Sequence, residues 1–363
     1  MNVMFMSTDW SVFADEKGLI TPGGSNHYRM ALPARMLEAA GHRVLLGHKL
    51  WQDRSGEFIL ETPDGERHGG FDVVVIQRWM DVSAPACIAR ARAHGQRVVY
   101  DIDDWWDGIA TSNGAFWGTH PKINPGSNRN HLRKALAAVD AVTVSTEFLA
   151  ERMRRLNPNV AVLRNTIDLR DWTRSPALDR DQVIAGWVGH VGTRSSDLEI
   201  LKGILGPWLD SVGGSFFHGG ANSEEHSAGP RFGLDKTEVP SSWMPMQPIH
   251  LYPRFFRRFN LGLVPLSTIP FNEAKSEVKG LEYSAARLPF IASATPSYEY
   301  LSNEIGAGVL ARKGKHWLNA LERFREPEAR REAGEHNRAL VEQHYDVSGP
   351  ARLPYLEFYG TLR

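Results

Sequence analysis

The chain alternates short apolar runs with amphipathic helical patterns, and this alternation occurs twice. The apolar runs of the first half have the length of strands and are bounded by polar residues: 2–6, 43–46, 71–76, 97–102, 141–145 and 160–163. After a polar segment at 168–181 the alternation restarts, with runs at 183–188, 214–218, 259–265 and 289–292. Because parallel strands are joined by crossover helices, this alternation predicts an α/β fold with doubly wound parallel sheets.

The two passages predict two Rossmann-like domains, and the polar segment around Pro176 resembles a linker between them. We place the domains at residues 1–175 and 176–345, followed by a final segment at 346–363. Open α/β sheets bind ligands outside the carboxyl ends of their strands. A ligand site is therefore predicted in the cleft where the two domains face each other.

The charges of the chain balance, because 42 Lys and Arg residues oppose 42 Asp and Glu residues. No global field then attracts nucleic acid or an anionic membrane, so an anion site must be local. Cys87 is the single cysteine, which leaves no intramolecular disulfide and favours a small buried apolar residue. The N-terminus lacks a signal-peptide pattern, and no apolar stretch reaches the roughly 18 residues of a membrane span. We expect a cytoplasmic protein without integral membrane contact.

Gly23 and Gly24 open the first helical pattern, which continues through Tyr28 and Arg29. Glycines let a ligand approach the backbone closely, and N–H groups at a helix N-terminus attract phosphate. This loop is therefore a candidate phosphate contact. An ordinary turn explains it equally well, and it is not the GxGxxG dinucleotide motif.

Four acids cluster where a predicted strand ends: Asp101, Asp103, Asp104 and Asp107. Crowded carboxylates cost free energy unless they share a ligand, a cation or a proton. Asp103 and Asp104 are the candidates for accepting a hydrogen bond or a proton from a hydroxyl group. Two alternatives stay open: a metal-binding DxD at 101–103, or acids that cap the next segment and form salt bridges.

The segment after the strand at 183–188 joins Gly189 and His190 to Arg194 ahead of a helical pattern. Arg194 and the helix N–H groups could meet a diphosphate, and His190 could do so or donate to a leaving oxygen. A turn followed by a capped helix at Ser195 or Ser196 is the alternative.

The most specific segment is 270–284, for which we predict a helix over 275–287. Lys275, Lys279 and Glu282 have helical spacing, so they would project from neighbouring faces of one helix. Lys275 and Ser276 suit phosphate, and Glu282 suits a ribose diol. We place Lys279 and Tyr283 with them as contacts of the same nucleotide. Surface Lys–Glu pairs are common and often carry no function. A further segment at 295–300 could line the nucleotide pocket or be an ordinary loop.

These motifs together resemble the GT-B glycosyltransferases of family four and its neighbours, including bacterial and phage members. The segments that carry the resemblance keep the order and spacing of that family over nearly the whole chain: 23–29, 37–44, 142–149, 163–168, 186–189 and 282–293. Two departures stand out. The family often has two glutamates eight positions apart, and Glu282 matches the second while Ala274 occupies the first. Many members carry a histidine where this chain has Asp103.

The resemblance implies an enzyme that moves a sugar from a nucleotide-diphosphate sugar, most often a UDP- or GDP-sugar, to an acceptor hydroxyl. It further implies retention of anomeric configuration, no bound metal and no permanently bound cofactor. From the residues themselves, we take Asp103, Asp104 and Lys275 as the catalytic candidates and Lys275, Ser276 and Lys279 as the main phosphate contacts. The segment 346–363 would cross back as a helix onto the N-terminal domain.

The acceptor stays open among a glycan, a lipid-linked sugar, a protein and a modified DNA base. We expect acceptor contacts from Arg78 and Trp79 and from 101–106. For DNA, the best local basic patch comprises Arg254, Arg257, Arg258 and Lys275. A non-catalytic nucleotide- or glycan-binding relic of the fold is the alternative that Ala274 suggests. We expect a monomer or weak dimer in the cytoplasm of a bacterium or of a phage-infected host.

Overall fold

The computed structural model describes residues 1–14, 18–111, 113–172, 181–191, 195–223 and 227–362. The chain forms two compact units. Unit 1 comprises Met1–Thr166, Ala274–Ser276 and Pro350–Arg363, and unit 2 comprises Ile167–Glu273 and Glu277–Gly349. Unit 1 therefore ends its first stretch before the boundary that we placed at residue 175, and it takes in a short piece of the second half.

The strands of unit 1 form one large sheet and two small ones. They are β1 (Asn2–Ser7), β2 (Trp10–Ala14), β3 (Ile20–Pro22), β4 (Arg43–Gly47), β5 (Lys49–Gln52), β6 (Phe58–Glu61), β7 (Arg67–His68), β8 (Val73–Gln77), β9 (Arg97–Ile102), β10 (Ala141–Val144) and β11 (Val160–Val162). The large sheet is parallel, with the order β11-β10-β9-β8-β1-β4. Strands β2 and β3 pair antiparallel, as do β5, β6 and β7.

Helices of unit 1 cover this sheet and enclose an apolar core. They are α1 (Gly24–Asn26), a π-helical turn (His27–Ala31), α2 (Leu32–Ala39), α3 (Ala84–His94), α4 (Gly114–Gly118), α5 (Arg129–Ala138) and α6 (Glu147–Met153). The core contains Met4 and Met6 of β1, Tyr100 of β9 and Leu136 of α5. Cys87 packs against this core as a partly buried residue.

Unit 2 contains a second six-stranded parallel sheet. Its strands are β12 (Ile184–Val188), β13 (Ser215–Ala221), β14 (Ser241–Pro245), β15 (Leu261–Val264), β16 (Phe290–Ser293) and β17 (Val309–Ala311). The order is β14-β13-β12-β15-β16-β17, which is the 3-2-1-4-5-6 arrangement of dinucleotide-binding sheets. Two apolar clusters pack on the strands, one around Phe259 and Tyr283 and the other around Trp187 and Leu263.

Helices α7 to α13 lie in or border unit 2: α7 (Ser195–Leu198), α8 (Leu205–Ser211), α9 (Pro270–Glu273), α10 (Val278–Ala285), α11 (Pro296–Tyr300), α12 (Gly314–Arg323) and α13 (Pro327–Tyr345). The last helix of the chain, α14 (Leu353–Gly360), belongs to unit 1. Its Tyr355 hydroxyl donates to the carbonyl oxygen of Arg164 at 2.7 Å, and Tyr359 packs edge-on against Phe5. The predicted return of the C-terminal helix to the N-terminal domain is confirmed.

The α/β fold with two parallel sheets is confirmed, and several boundaries follow the sequence closely. Helix α3 ends before Gly95, which has the left-handed φ of 106° that glycine adopts without strain. Our prediction for 275–287 was wrong at its start, because α10 begins at Val278. The small sheets of unit 1 and strands β14 and β17 were not predicted, since strands this short show too few residues to reveal a periodicity.

Each large sheet has one point where the strand order reverses. In unit 1 it lies between β1 and β8, and in unit 2 between β12 and β15. Connections leave such a point in opposite directions, which opens a crevice at the carboxyl ends of the two strands. The residues that follow these four strands are therefore the first place to look for a binding site.

Candidate functional site

A network of polar side chains lies at the reversal point of unit 1. Ser7 at the end of β1 donates to the Gln77 side chain at the end of β8, at 2.6 Å. Gln77 donates to Ser25 Oγ at 2.8 Å, and Ser25 donates in turn to the Asp103 carboxylate. The fold thus gathers the ends of three strands and the start of α1 around Asp103. Gln77 was not predicted from sequence.

Asp103 is the electrostatic centre of this network. Burial raises the pKa of its carboxyl, against the opposing effect of Arg78. Arg78 Nη2 lies 3.5 Å from Asp103 Oδ2 and 3.7 Å from Asp104 Oδ2, and Arg78 Nη1 lies 3.6 Å from Asp9 Oδ1. Desolvation therefore favours the protonated carboxyl while the guanidinium favours the ionised one. Such a balance suits a group that exchanges hydrogen bonds or protons with a hydroxyl.

Several buried polar atoms of this network have no hydrogen-bond partner among the described residues. They include both side-chain amide atoms of fully buried Asn26, Asp103 Oδ1 and Arg78 Nε. Arg78 also holds a backbone φ of 60°, which costs a non-glycine residue free energy. Buried polar groups are nearly always paired in native proteins, so a cluster of unpaired ones indicates a place for a polar ligand.

The glycine loop at 23–24 is less open to phosphate than the sequence suggested. The Gly23 N–H donates to the Asp9 carbonyl oxygen at 3.0 Å, and the Asn26 N–H donates to Asp9 Oδ2 at 3.1 Å. A side-chain carboxylate therefore already lies at this helix start, where a phosphate would have to displace it. Space remains at Gly24, where a Cβ would meet no atom within 4 Å.

Arg29 and Asp101 form a buried ion pair that serves the fold. Arg29 Nε donates to Asp101 Oδ1 at 3.0 Å and Nη2 donates to Oδ2 at 2.6 Å. Its Nη1 donates to the carbonyl oxygen of Leu163 at 2.6 Å, and Thr143 Oγ1 donates to Asp101 Oδ2 at 2.7 Å. Since both Asp101 oxygens are engaged by Arg29, the alternative of a DxD metal site loses one of its ligands.

Lys275 and Ser276 lie in unit 1, away from the helix we assigned them to. Lys275 Nζ donates to Asp104 Oδ1 at 2.9 Å, and Asn165 donates to Ser276 Oγ at 2.7 Å. The preceding Ala274 is fully buried in the core of unit 1, and its carbonyl oxygen accepts from Thr146 Oγ1 at 3.2 Å. The prediction that Lys275 and Lys279 project from one helix was therefore wrong, because the chain joins unit 1 before α10 begins.

Unit 2 contains a second polar cluster at the start of α10. Lys279 Nζ donates to Tyr252 Oη at 2.5 Å and to Glu282 Oε2 at 2.7 Å. The Tyr252 hydroxyl donates to the same Glu282 oxygen at 2.9 Å. Glu282 is buried, while the Lys279 side chain is 25% exposed. The cluster therefore presents one cation at the surface and one carboxylate beneath it, and Tyr252 was not predicted from sequence.

Tyr283 does not face a ligand site. Its ring is fully buried, and its hydroxyl donates to the carbonyl oxygen of Leu263 at 3.0 Å. The ring lies over Gly262, where a Cβ would come within 2.7 Å of it. The assignment of Tyr283 as a donor contact was wrong, because the face of α10 that carries Tyr283 packs on β15.

The reversal point of unit 2 is built around Gly189. Its N–H donates to the Gly219 carbonyl oxygen at 2.9 Å, and its own carbonyl oxygen lies 2.9 Å from Nε2 of buried His218. His218 Nδ1 accepts from the Ala228 N–H at 2.9 Å, so Nε2 carries the proton. Burial lowers the pKa of His218, which keeps the ring neutral. His218 therefore positions the Gly189 backbone, a role that its isolated place in the sequence did not reveal.

His190 is exposed beside this turn, 3.3 Å from the Asn222 side chain. Arg194 lies outside the described residues, so its role as a diphosphate contact stays a prediction. Asp197 of α7 is buried and accepts from the Ser267 N–H at 2.8 Å and from Asn272 Nδ2 at 2.6 Å. Asp197 thus ties the start of α7 to the segment that follows β15.

Two other predicted regions have clear positions. The segment 295–300 is mostly α11, with Tyr298 buried in the core and Glu299 paired with Arg312. Arg254, Arg257 and Arg258 are exposed at the end of a 3₁₀ segment, Ile249–Arg257. Lys275 belongs to unit 1 and not to this segment.

In the described part of the chain, His, Cys, Asp and Glu side chains form no group of three or more that could hold a metal ion. Within the same residues, the helices are too short or too polar to span a bilayer.

No protein-family model matches the chain, and no curated protein sequence matches it. Solved structures match it over nearly the full length of both chains. Sucrose-phosphate synthase from Thermosynechococcus elongatus has 15% identity and a TM-score of 0.67, covering 99% of this chain and 98% of that chain. Anabaena HepE in complex with UDP-glucose has 11% identity and a TM-score of 0.61, covering 99% and 100%.

The catalytic domain of starch synthase IV from Arabidopsis thaliana, solved with ADP and acarbose, has 11% identity and a TM-score of 0.62. It covers 99% of this chain and 99% of that chain. At these identities the similarity establishes the fold: the chain has the GT-B fold of the glycosyltransferases.

Proposed function

We propose that the protein is a glycosyltransferase that moves a sugar from a nucleotide-diphosphate sugar to an acceptor hydroxyl. The Lys279–Tyr252–Glu282 cluster of unit 2 carries this proposal. A lysine ammonium has three donors, and Lys279 uses two of them on Tyr252 and Glu282. The third can bind a phosphate oxygen, with Glu282 next to it as the acceptor for ribose hydroxyls. Structures with the same fold, HepE and starch synthase IV, were solved with UDP-glucose and ADP, respectively.

The acceptor role falls to the Asp103 network of unit 1. Asp103 Oδ1 and the Asn26 amide offer an acceptor and a donor–acceptor pair, which together match a hydroxyl group. Asp104 is held by Lys275 and shares the Arg78 guanidinium with Asp103. We assign Asp103 to accept the hydrogen bond of the attacking hydroxyl. Arg78 opposes the effect of burial on the pKa of Asp103, and Lys275 forms an ion pair with Asp104.

Catalysis in this scheme is charge stabilisation and positioning. Negative charge develops on the nucleotide diphosphate as the sugar leaves, and nearby cations and N–H groups lower the barrier. Lys279 supplies one cation. We assign the Gly189 turn, His190 and Arg194 as further diphosphate contacts, as the sequence predicted. Retention of configuration and independence of metal follow from the resemblance to family four, and NMR of the product anomer tests the former.

Thermal stabilisation by donor sugars tests the donor site. At a concentration of about 100 times Kd, a ligand stabilises the folded protein by roughly 2.7 kcal/mol, which raises Tm by about 5–10 °C for a unit of this size. We expect one UDP-, GDP- or ADP-sugar of a panel to do so with the wild type. Lys279→Met should abolish the shift, while Lys315→Met, a change at an exposed lysine of α12, should keep it. A panel that leaves Tm unchanged would refute the donor site.

Turnover separates an enzyme from a binding relic. The relic is favoured by Ala274, which fills the first glutamate position and is fully buried. Glu273 or Glu277 could take the place of that glutamate; Glu277 is fully buried, and its carboxylate accepts from the Tyr345 hydroxyl at 3.1 Å. Hydrolysis of the donor that stabilises the protein, lost in Asp103→Asn or Lys279→Met, supports the enzyme. Stabilisation without turnover in the wild type would support the relic.

The exposed arginines at 254, 257 and 258 favour one second candidate, a transferase that modifies a DNA base. Phosphate contacts make DNA affinity fall steeply with salt. Gel shifts at two salt concentrations test it, with Arg254→Ala combined with Arg258→Ala as the variant. Binding that this variant retains in full would exclude the patch as a DNA site.

A further inference from the structure

The connection from β9 to α5 in unit 1 carries an exposed apolar surface. Trp117 of α4 is 50% exposed and Ile123 is 62% exposed. Val82, which lies between β8 and α3, is 57% exposed, and its N–H donates to the carbonyl oxygen of Gly126 in the β9–α5 connection at 2.8 Å. We call these three residues the Trp117 surface. Single exposed apolar residues are ordinary, but several on two hydrogen-bonded segments indicate a contact site.

The β9–α5 connection, which carries Trp117 and Ile123, is fixed by asparagine side chains. Asn113 caps α4 and Asn128 caps α5. Between them, Asn124 Nδ2 donates to the Gly118 carbonyl oxygen at 3.1 Å, and the Ser127 N–H donates to Asn124 Oδ1 at 3.2 Å. A loose loop could fold its apolar side chains inward, whereas this network holds Trp117 and Ile123 at the surface. The hydrogen bonds of this connection therefore keep both side chains exposed.

The local charge of the segment is positive although the whole chain is neutral. From Gly108 to Val139 the sequence has no Asp or Glu, and it holds Lys122, Arg129, Arg133 and Lys134. Lys122 and Lys134 are exposed. Of the acids that border the segment, Asp107 pairs with Arg133, and the Asp81 carboxylate accepts from Ser83 Oγ at 2.6 Å. The exposed Lys122 and Lys134 can therefore attract an anionic partner.

We propose that the Trp117 surface docks on an anionic lipid bilayer. Tryptophan has an apolar ring and a polar N–H, which suits it to the boundary between headgroups and acyl chains. The Trp117 Nε1–H donates to the Thr111 carbonyl oxygen at 3.0 Å, so the ring enters an apolar phase without an unpaired donor. Lysines next to apolar side chains add attraction to anionic headgroups. A purely polyanionic partner would leave Ile123 and Val82 without a contact.

Co-sedimentation of the full chain with vesicles tests this proposal, in the absence of any nucleotide sugar and thus independently of the proposed function. We expect binding to phosphatidylcholine vesicles that contain phosphatidylglycerol. Trp117→Gln combined with Ile123→Gln should lower the partition coefficient about tenfold or more. Trp243→Gln combined with Leu318→Gln changes two exposed apolar residues of unit 2 and should leave it unchanged.

Charge reversal separates the two parts of the surface. Lys122→Glu combined with Lys134→Glu should lower binding to anionic vesicles by about tenfold or more and abolish the preference over pure phosphatidylcholine. Circular dichroism of each variant checks that it is folded. The proposal is overturned if the wild type binds neither vesicle type at low salt. It is also overturned if the unit 2 variant loses as much binding as the variant with Trp117→Gln and Ile123→Gln. Binding of single-stranded DNA through the same residues, without vesicle binding, would also overturn it.

Discussion

Gly334 allows a direct test of how helix α13 packs against the turn at Arg287 in unit 2. It lies within α13, and an alanine Cβ there would lie 2.1 Å from the carbonyl oxygen of Arg287 and 2.8 Å from its carbonyl carbon. Ordinary contact begins near 3.4 Å, so the helix or the turn at Arg287 must shift by more than an ångström. Arg287 holds a left-handed φ of 59°, which leaves that turn little freedom to move.

The sign of the Gly334→Ala effect depends on which of two energies is larger. Helix propensity favours alanine over glycine by about 1 kcal/mol. Overpacking against a fixed backbone costs about 1–3 kcal/mol and at times more, and an overlap this deep belongs at the upper end. The net expectation is a loss of about 2 kcal/mol, which lowers Tm by roughly 4–8 °C in a unit of this size.

Thermal unfolding followed by circular dichroism measures this shift. Gly360→Ala is the matched control, because it changes a helical glycine of α14 whose Cβ would meet nothing within 4 Å. We expect the control to keep or slightly raise Tm. An unchanged or higher Tm for Gly334→Ala would refute the packing of α13 on the turn at Arg287.

Two further predictions concern the buried charges of unit 1. Arg29→Met should destabilise the protein by about 3–5 kcal/mol, because it leaves the Asp101 carboxylate buried and unpaired; adding Asp101→Leu should recover part of that loss in urea unfolding. Asp103→Asn should raise Tm near neutral pH. Burial raises the pKa of the Asp103 carboxyl above its ordinary value of 3.8. Ionising this carboxyl therefore destabilises the folded protein, progressively as pH rises from 3.8 through the folded-state pKa. The gain in Tm should therefore be small near pH 4 and grow with pH; a gain that is independent of pH would contradict the raised pKa.

Local signals in the sequence located most of the regular elements. The predicted strands at 97–102 and 141–145 became β9 and β10, since strands that are buried on both faces of a parallel sheet are largely apolar. Thr146 caps α6 through its hydroxyl, as a threonine at that point indicates. These features depend on neighbouring residues only, so a single sequence reveals them.

Site residues were predicted where they follow an apolar strand, as Asp103 and Gly189 do. Gln77 and Tyr252 were not predicted, although Gln77 also follows an apolar run, at 71–76. Each acquires its role from a partner far along the chain: Gln77 bonds Ser25, and Tyr252 bonds Lys279. Such pairs depend on strand order, which periodicity does not encode.

The sequence by itself determined the α/β class and the two parallel sheets, because strands that alternate with helices along the chain are compatible with few other folds. Only the tertiary structure decided what the segment around Lys275 does. Helical spacing placed Lys275 and Lys279 together, but Lys275 pairs with Asp104 in unit 1 and Lys279 with Glu282 in unit 2. The reason is that periodicity records which face of an element is buried, whereas a charge finds its partner through contacts between distant parts of the chain.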